Sequence, residues 1–360
     1  MLNQHGEIRR RRIPDASGRT GLRDPAVRSH LATAHAGGAG ESCNIRHRRL
    51  LPSNFAMTSR VPNVMMEKRR ILHVADTALW MASIRAGESS RPDAIFRDAL
   101  AAQLSGDEGA QIERSVPNAA LSAWGVVVRT SAIDRLVAAA LQERVDTVLN
   151  LGAGYDTRPY RLSLPADLRW IEVDFPALIA DKNSKLRDRQ PVCTVERIGL
   201  DLSDRSKRSE LFAALGVESA RTLLITEGLI PYFSTGQVVL LSQDAHAVPS
   251  FRYWIQDFDN AGERRTMPGR WDEVFKAAPL LFQVKDWFKF FLATGWSPKE
   301  LITSAEESEL VDRPFPLTFP LGVLMRVLPI SMRRRILGTT GAVLMEKQEY
   351  APNRACPHPR

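Results

Sequence analysis

The residue types best placed to do chemistry lie in Leu149-Asn150-Leu151-Gly152-Ala153-Gly154-Tyr155-Asp156-Thr157, directly after the short β-branched and apolar run Val145–Leu151. Glycines at the carboxyl end of a first strand let the backbone approach a ligand closely and take up unusual dihedral angles, which is how doubly wound sheets receive nucleotides. Twenty residues beyond Gly154 the run Trp170-Ile171-Glu172-Val173-Asp174 ends in acid. A carboxylate there accepts two hydrogen bonds from the ribose hydroxyls of an adenine nucleoside. Strand alternation puts Glu172 and Asp174 on the same side, so either can serve; Asp174, at the strand's end, is preferred. A dinucleotide fingerprint asks for a third small residue where Thr157 stands, which disfavours a nicotinamide cofactor.

These residues need a frame. Leu168–Val173, Val192–Ile198, Thr222–Ile225 and Tyr253–Phe258 are further short apolar runs, separated by segments of helix length at Pro176–Arg187, Ser206–Leu215 and Thr235–His246. Strand and helix in alternation predict a parallel sheet with helices on both faces. Upstream, Ile71–Arg85, Asp93–Leu104 and Ser131–Gln142 carry helical patterning, broken at Gly106 and Pro117. Downstream come a helix leading to Gly295-Trp296, a Pro-rich apolar stretch, a basic helix around Ser331–Leu337, and a last strand, Ala342–Lys347, expected as an antiparallel edge.

The formal charge of +8 raises nucleic acid or an anionic membrane as a partner only if the charge sits on the folded body. It does not: residues 1–56 hold ten Arg, no Lys and four acids. That segment shows neither helical nor strand periodicity and reads as a disordered Arg-rich leader. Cys43, Cys193 and Cys356 are far apart, with no CxxC or Cys/His cluster, so neither a disulfide framework nor a metal site is expected, and a reducing cytoplasm is the natural setting. The most apolar late stretch, Phe315–Leu328, is interrupted by Pro316, Pro320 and Arg326 and is too short to span a bilayer.

Five blocks in order resemble the leucine carboxyl methyltransferase-like family, and within it the bacterial O-methyltransferase branch. They are Arg129–Asp134, Leu151–Arg158, Glu172–Pro176 with Lys182, Asp201-Leu202, and Glu227–Tyr232, with Arg85–Ser89 upstream and Gly295-Trp296 downstream. The resemblance covers about residues 65–349. It implies S-adenosyl-L-methionine as cofactor. Arg129 would clamp the methionyl carboxylate, a task suited to a planar guanidinium; Gly152, Ala153 and Gly154 would lie against the methionine; Asp174 would hold the ribose. Asp201 and Leu202 would receive the adenine, and Glu227 would face the methionyl end. Tyr232, in the loop after Glu227, is the candidate for the acceptor pocket; no general base is singled out, with His246 and Tyr232 both open. Ser203 stands where the eukaryotic enzymes that methylate a phosphatase C-terminus carry an arginine, which argues against protein carboxyl methylation.

The expected architecture is α/β, a doubly wound seven-stranded Rossmann-like methyltransferase sheet. Residues 57–143 form an N-terminal helical cap, 144–349 the methyltransferase domain with a C-terminal substrate-covering segment, and 350–360 a tail. The expected function is O-methylation of a small-molecule carboxylate or polyketide-like hydroxyl, with neither nucleic acid nor membrane as partner. The alternatives are a nicotinamide-dependent oxidoreductase and a catalytically idle cofactor-binding or interaction protein.

Overall fold

The computed structural model describes residues 71, 73–260, 275–316, 327–329, 332 and 339–349. The Arg-rich leader, the tail, Cys43, Cys356 and nearly all of the expected basic helix lie outside the described residues.

Three helices come first: α1 (Asp76–Ser89), α2 (Ala101–Ser115) and α3 (Ala119–Leu141). There follow β1 (Thr147–Leu151), a one-turn α4 (Arg158–Arg161), β2 (Arg169–Asp174), α5 (Pro176–Lys185), β3 (Thr194–Gly199), α6 (Arg205–Glu218) and β4 (Thr222–Thr226). After a 3-10 turn at Ile230–Tyr232 come α7 (Thr235–Ala247), β5 (Phe251–Asp259), α8 (Trp287–Ala293), β6 (Trp296–Thr303), α9 (Ser304–Leu310) and β7 (Thr340–Lys347).

The seven strands form one sheet in the order β3-β2-β1-β4-β5-β7-β6. The first five are parallel; β7 runs antiparallel to β5 and β6 antiparallel to β7. The expected parallel sheet is present, with one correction. The last strand is not an edge, because Trp296–Thr303, unassigned from sequence, pairs along its outer side. Residues of β6 alternate unevenly between buried and half-exposed, the mark of a strand covered on one side only.

Strand alternation explains the two cores. Val148, Trp170, Leu223, Ile225 and Ile255 pack against α3 through Ile133, Leu136 and Val137. Their neighbours Leu149, Leu151, Ile171, Val173, Leu224 and Trp254 point the other way, onto Phe212 and Leu215 of α6, Val238 and Leu241 of α7, and Phe291 of α8. A short run with both faces buried lacks strict apolar–polar alternation and carries adjacent apolar residues, as β1 and β4 do. Trp254 meets Phe291 and Trp296 edge to face at 5.4 and 5.3 Å, contacts that contribute ~1 kcal/mol each beyond burial.

Local chemistry sets the helix ends. Ser234 and Gln237 form a capping box at α7, and Thr303 with Glu306 does the same at α9. The helix expected over Asp93–Leu104 begins only at Ala101. Asp98 is engaged elsewhere: its carboxylate accepts from Arg85, Thr157 and the Leu100 N–H, and its carbonyl from the Ala101 N–H. The helix then continues past Gly106, which takes a positive φ of 55° at a kink. Among the described residues no helix is long and apolar enough to cross a membrane.

Candidate functional site

The strand order turns back between β1 and β4, and the crevice above the carboxyl ends of those strands is where an open α/β sheet binds its ligand. A cavity of about 500 Å³ opens there. Its wall includes Arg129, Gly152, Ala153, Gly154, Asp174, Glu227 and Tyr232, so seven of the nine sequence-derived candidates meet at one place.

The glycine turn is shaped by φ and by close approach. Gly152 and Gly154 have φ of +68° and +48°, a region that side chains avoid. A Cβ on Gly152 would come within 3.0 Å of Leu229 Cδ1, and one on Gly154 within 3.3 Å of Ala78 Cβ. The Gly152 and Ala153 N–H groups donate to the Val173 carbonyl, and this lashes the turn to the end of β2.

Asp174, at that end, is buried, with its two oxygens held separately: the Gly154 N–H donates to Oδ2 and the Phe175 N–H to Oδ1, each at 2.7 Å. Burial pushes its pKa up, and these two N–H donors work against the shift without cancelling it. Each oxygen retains acceptor capacity toward the cavity. Glu172, the other acid considered from sequence, is fully buried and taken up by Lys182 at 2.8 Å and Arg197 at 2.7 Å. Asp174 alone of the two lines the cavity.

Across the crevice stands a charge network. Arg129, on α3, reaches Glu227 Oε1 at 3.0 Å and Asp257 Oδ2 at 3.1 Å, and its Nη2 lies 3.7 Å from Met81 Sδ. Burial alone would lower the Arg129 pKa; the two carboxylates more than offset this and raise it. Arg158, 2% exposed, spends each guanidinium nitrogen on a different acid: Nε on Asp134 at 2.7 Å, Nη1 on Asp156 at 2.7 Å, Nη2 on Glu227 at 2.8 Å. For Glu227 burial pulls the pKa up, but Arg158 and Arg129 hold it below the ordinary glutamate value. Asp257 goes the other way. Burial raises its pKa although Arg129 and the Gly228 N–H favour the charged form.

Asp201 and Leu202 fall outside the cavity wall. Asp201 is exposed and its Oδ1 accepts from the Ser203 N–H and hydroxyl, while Leu202 belongs to the core under α6. His246 is also remote from the cavity; its Nε2 lies 3.1 Å from the Gln348 carbonyl, and its ring stands edge to face with Trp296. Sequence reasoning missed Asp134, Asp156, Arg158 and Asp257 as members of the site. Asp156 and Arg158 follow the glycine turn in Gly-Tyr-Asp-Thr-Arg and were available as a signal; Asp134 and Asp257, far apart in the chain on α3 and β5, were not.

The cradle therefore suits a nucleoside with an amino-acid tail: close backbone at the turn, a carboxylate for a sugar diol, and an Arg–Glu pair opposite. Thr157, fully buried and bonded to Asp98 at 2.6 Å, fills the position where a dinucleotide site needs a small residue.

Comparison with known proteins agrees with this class. The family model described as leucine carboxyl methyltransferase matches residues 78–244. A Streptomyces coelicolor protein assigned by name to the S-adenosyl-L-methionine-dependent methyltransferases is 37% identical over 179 residues, 46% of this chain and 62% of that one. A Parafrankia protein of the same designation is 30% identical over 270 residues, 69% of this chain and 84% of that one. The chain thus spans just under two thirds of the first relative and most of the second. A crystal structure of a DUF574 family protein from Streptomyces avermitilis aligns at 14% identity with a TM-score of 0.47, over 74% of this chain and 96% of that one. The chain belongs to the leucine carboxyl methyltransferase family of S-adenosyl-L-methionine-dependent methyltransferases.

Proposed function

We propose that the chain transfers a methyl group from S-adenosyl-L-methionine to an oxygen of a small molecule, a carboxylate or a polyketide-like hydroxyl, in the cytoplasm. The observation that carries the reading is the Asp174 carboxylate, fixed on the cavity wall by the Gly154 and Phe175 N–H groups. Asp174 takes the ribose hydroxyls, Gly152–Gly154 passes along the methionine, Arg129 receives the methionyl carboxylate through Nη2, and Glu227 faces the ammonium end. Asp201 and Leu202, outside the cavity wall, are the adenine-edge residues that the family resemblance implies.

When bound, the sulfonium supplies a methyl already activated on a thioether leaving group, so the protein's part is placement of the acceptor oxygen. Tyr232, Phe258, Phe275 and Trp287 line the cavity with aromatic surface suited to an acceptor with an apolar body. A carboxylate acceptor has no proton to lose. The N-terminal helices and the segment around Phe275–Trp287 supply the cover that keeps water from the acceptor.

The test is incubation with methyl-labelled cofactor and a panel of aromatic carboxylic acids and phenols. Label appearing in an ester or ether supports the reading. No transfer to any acceptor, with binding of S-adenosylhomocysteine intact, favours the idle cofactor-binding alternative.

A further inference from the structure

Arg158 makes an unusual set of contacts for a residue whose guanidinium has almost no solvent. Its three nitrogens address carboxylates from three separate parts of the fold: Asp134 of α3, Asp156 of the glycine turn and Glu227 at the end of β4. Asp134 is further held by both terminal nitrogens of Arg161, at 2.5 and 2.9 Å. Asp156 is further held by Asn150 Nδ2, at 2.8 Å, one residue before Leu151 closes β1. The clamp is therefore anchored on two sides, and Glu227 is the member of it that also reaches Arg129, on the other side of the crevice.

We propose that Arg158 is a positioning residue: it fixes the Glu227 carboxylate in place, ionised, and couples it to the Gly152–Gly154 turn, so that the two ends of the cofactor site move as one body. This rests on the reading of the cavity as a cofactor site. A planar fork suits this task, because its five N–H donors leave three nitrogens in fixed, spread directions, whereas an ammonium gathers its three donors on one point charge. The guanidinium keeps its own charge under burial since three acids surround it. The ionisable groups acting on Glu227 are Arg158 of α4, Arg129 of α3, Arg85 of α1 and Asp156 of the turn, with Asp257 of β5 coupled to it as a like charge. Of these Arg158 is the nearest cation, at 2.8 Å against 3.0 Å for Arg129.

The sign of the pH effect follows. Glu227 is held below the ordinary glutamate value, so a ligand that needs its charge keeps full affinity above that value and loses it as pH falls through the lowered one. Removing the Arg158 charge raises the Glu227 pKa and shifts that loss to higher pH.

The experiment titrates S-adenosylhomocysteine into the full chain by calorimetry across the acid range, for wild type, Arg158→Met, Arg158→Met with Asp156→Asn, and Glu227→Gln. The expected result is binding at least about tenfold weaker in Arg158→Met, an acid limb moved up by roughly one unit, and in Glu227→Gln only the limb that Asp174 supplies, unmoved by loss of the Arg158 charge. The double variant removes the charge of Asp156, whose ion pair is with Arg158, while Asp134 keeps Arg161, and it carries the test should the single variant not fold. If wild type binds and the Arg158 variants lose affinity by the same factor at every pH, the residue is only a structural tie and the proposal falls. If wild type itself does not bind, the cofactor reading has failed first and takes the proposal with it. A carbon-detected titration of Glu227 in the wild-type chain checks the same point without any substitution: a midpoint below the ordinary glutamate value is expected, and one at or above it overturns the proposal.

Discussion

Two glutamates on this sheet sit in nearly the same chemistry and stand to be used differently. Glu172, in the middle of β2, is fully buried between Lys182 and Arg197, with Tyr160 completing the group by accepting from Arg197 at 2.7 Å. Glu227, just after β4, is bound by Arg158 and Arg129, and its side chain remains 18% exposed to the cavity. Each is a carboxylate between two cations. What separates them is the last stretch of strand: Glu172 stands two residues short of the carboxyl end of β2 and is roofed by α5, whereas Glu227 has passed the end of β4 and looks into the crevice. A closed ion pair costs desolvation and returns structure, and an open one keeps acceptor capacity for a ligand.

The comparison is broken most severely by Glu172→Gln. This leaves Lys182, which burial already pushes below the ordinary lysine value, without its charge partner in the core. A stability loss of about 3–5 kcal/mol is expected by chemical denaturation, with S-adenosylhomocysteine affinity of the folded protein changed less than about twofold. Equal loss of affinity and stability would merge the two networks into one.

Glu227→Gln should show the opposite pattern. Arg158 keeps Asp134 and Asp156, and Arg129 keeps Asp257, so stability falls by only about 1–2 kcal/mol. Affinity for S-adenosylhomocysteine falls about tenfold or more, read by calorimetry, since a charge-assisted contact is worth ~1.5–3 kcal/mol.

The smallest effect belongs to His246, outside both networks. Burial lowers its pKa, so the folded chain binds this proton less readily than the unfolded one. The stability it contributes is complete above the ordinary histidine value and declines as pH falls below it. With the ring partly open to solvent, screening keeps the effect to ~0.5 kcal/mol or less. His246→Gln should flatten that slope in thermal unfolding and leave methyl transfer unchanged; a collapse of transfer would return this histidine to the site.

Much of the site was legible because its parts are local in sequence. The Gly152-Ala153-Gly154 turn announces itself by following an apolar run, and Asp174 by ending the next one. Both Asp174 and Glu172 lie on one strand face, and the preference for Asp174 rested on its place at the strand's end; the roof of α5 that closes Glu172 off was not legible. Nor were Asp134 and Asp257, whose role comes from meeting Arg158 and Arg129 across α3, the turn and β5. In the fold, β1, β2, β4 and β5 were readable from apolar runs that are buried on both faces, whereas β3, at the sheet edge, is half-buried to exposed. The outer strand Trp296–Thr303 was not, because a half-covered strand containing Pro298, Lys299 and Glu300 lacks that signature.

The central claim is that the cavity holds an adenosyl group by its sugar at Asp174. Calorimetric titration of S-adenosylhomocysteine into wild type and Asp174→Ala tests it most directly. The account predicts saturable one-site binding to wild type and a loss of about a hundredfold or more in the variant, with its unfolding transition still cooperative. Equal affinity in the two proteins, or no binding to wild type, would contradict it.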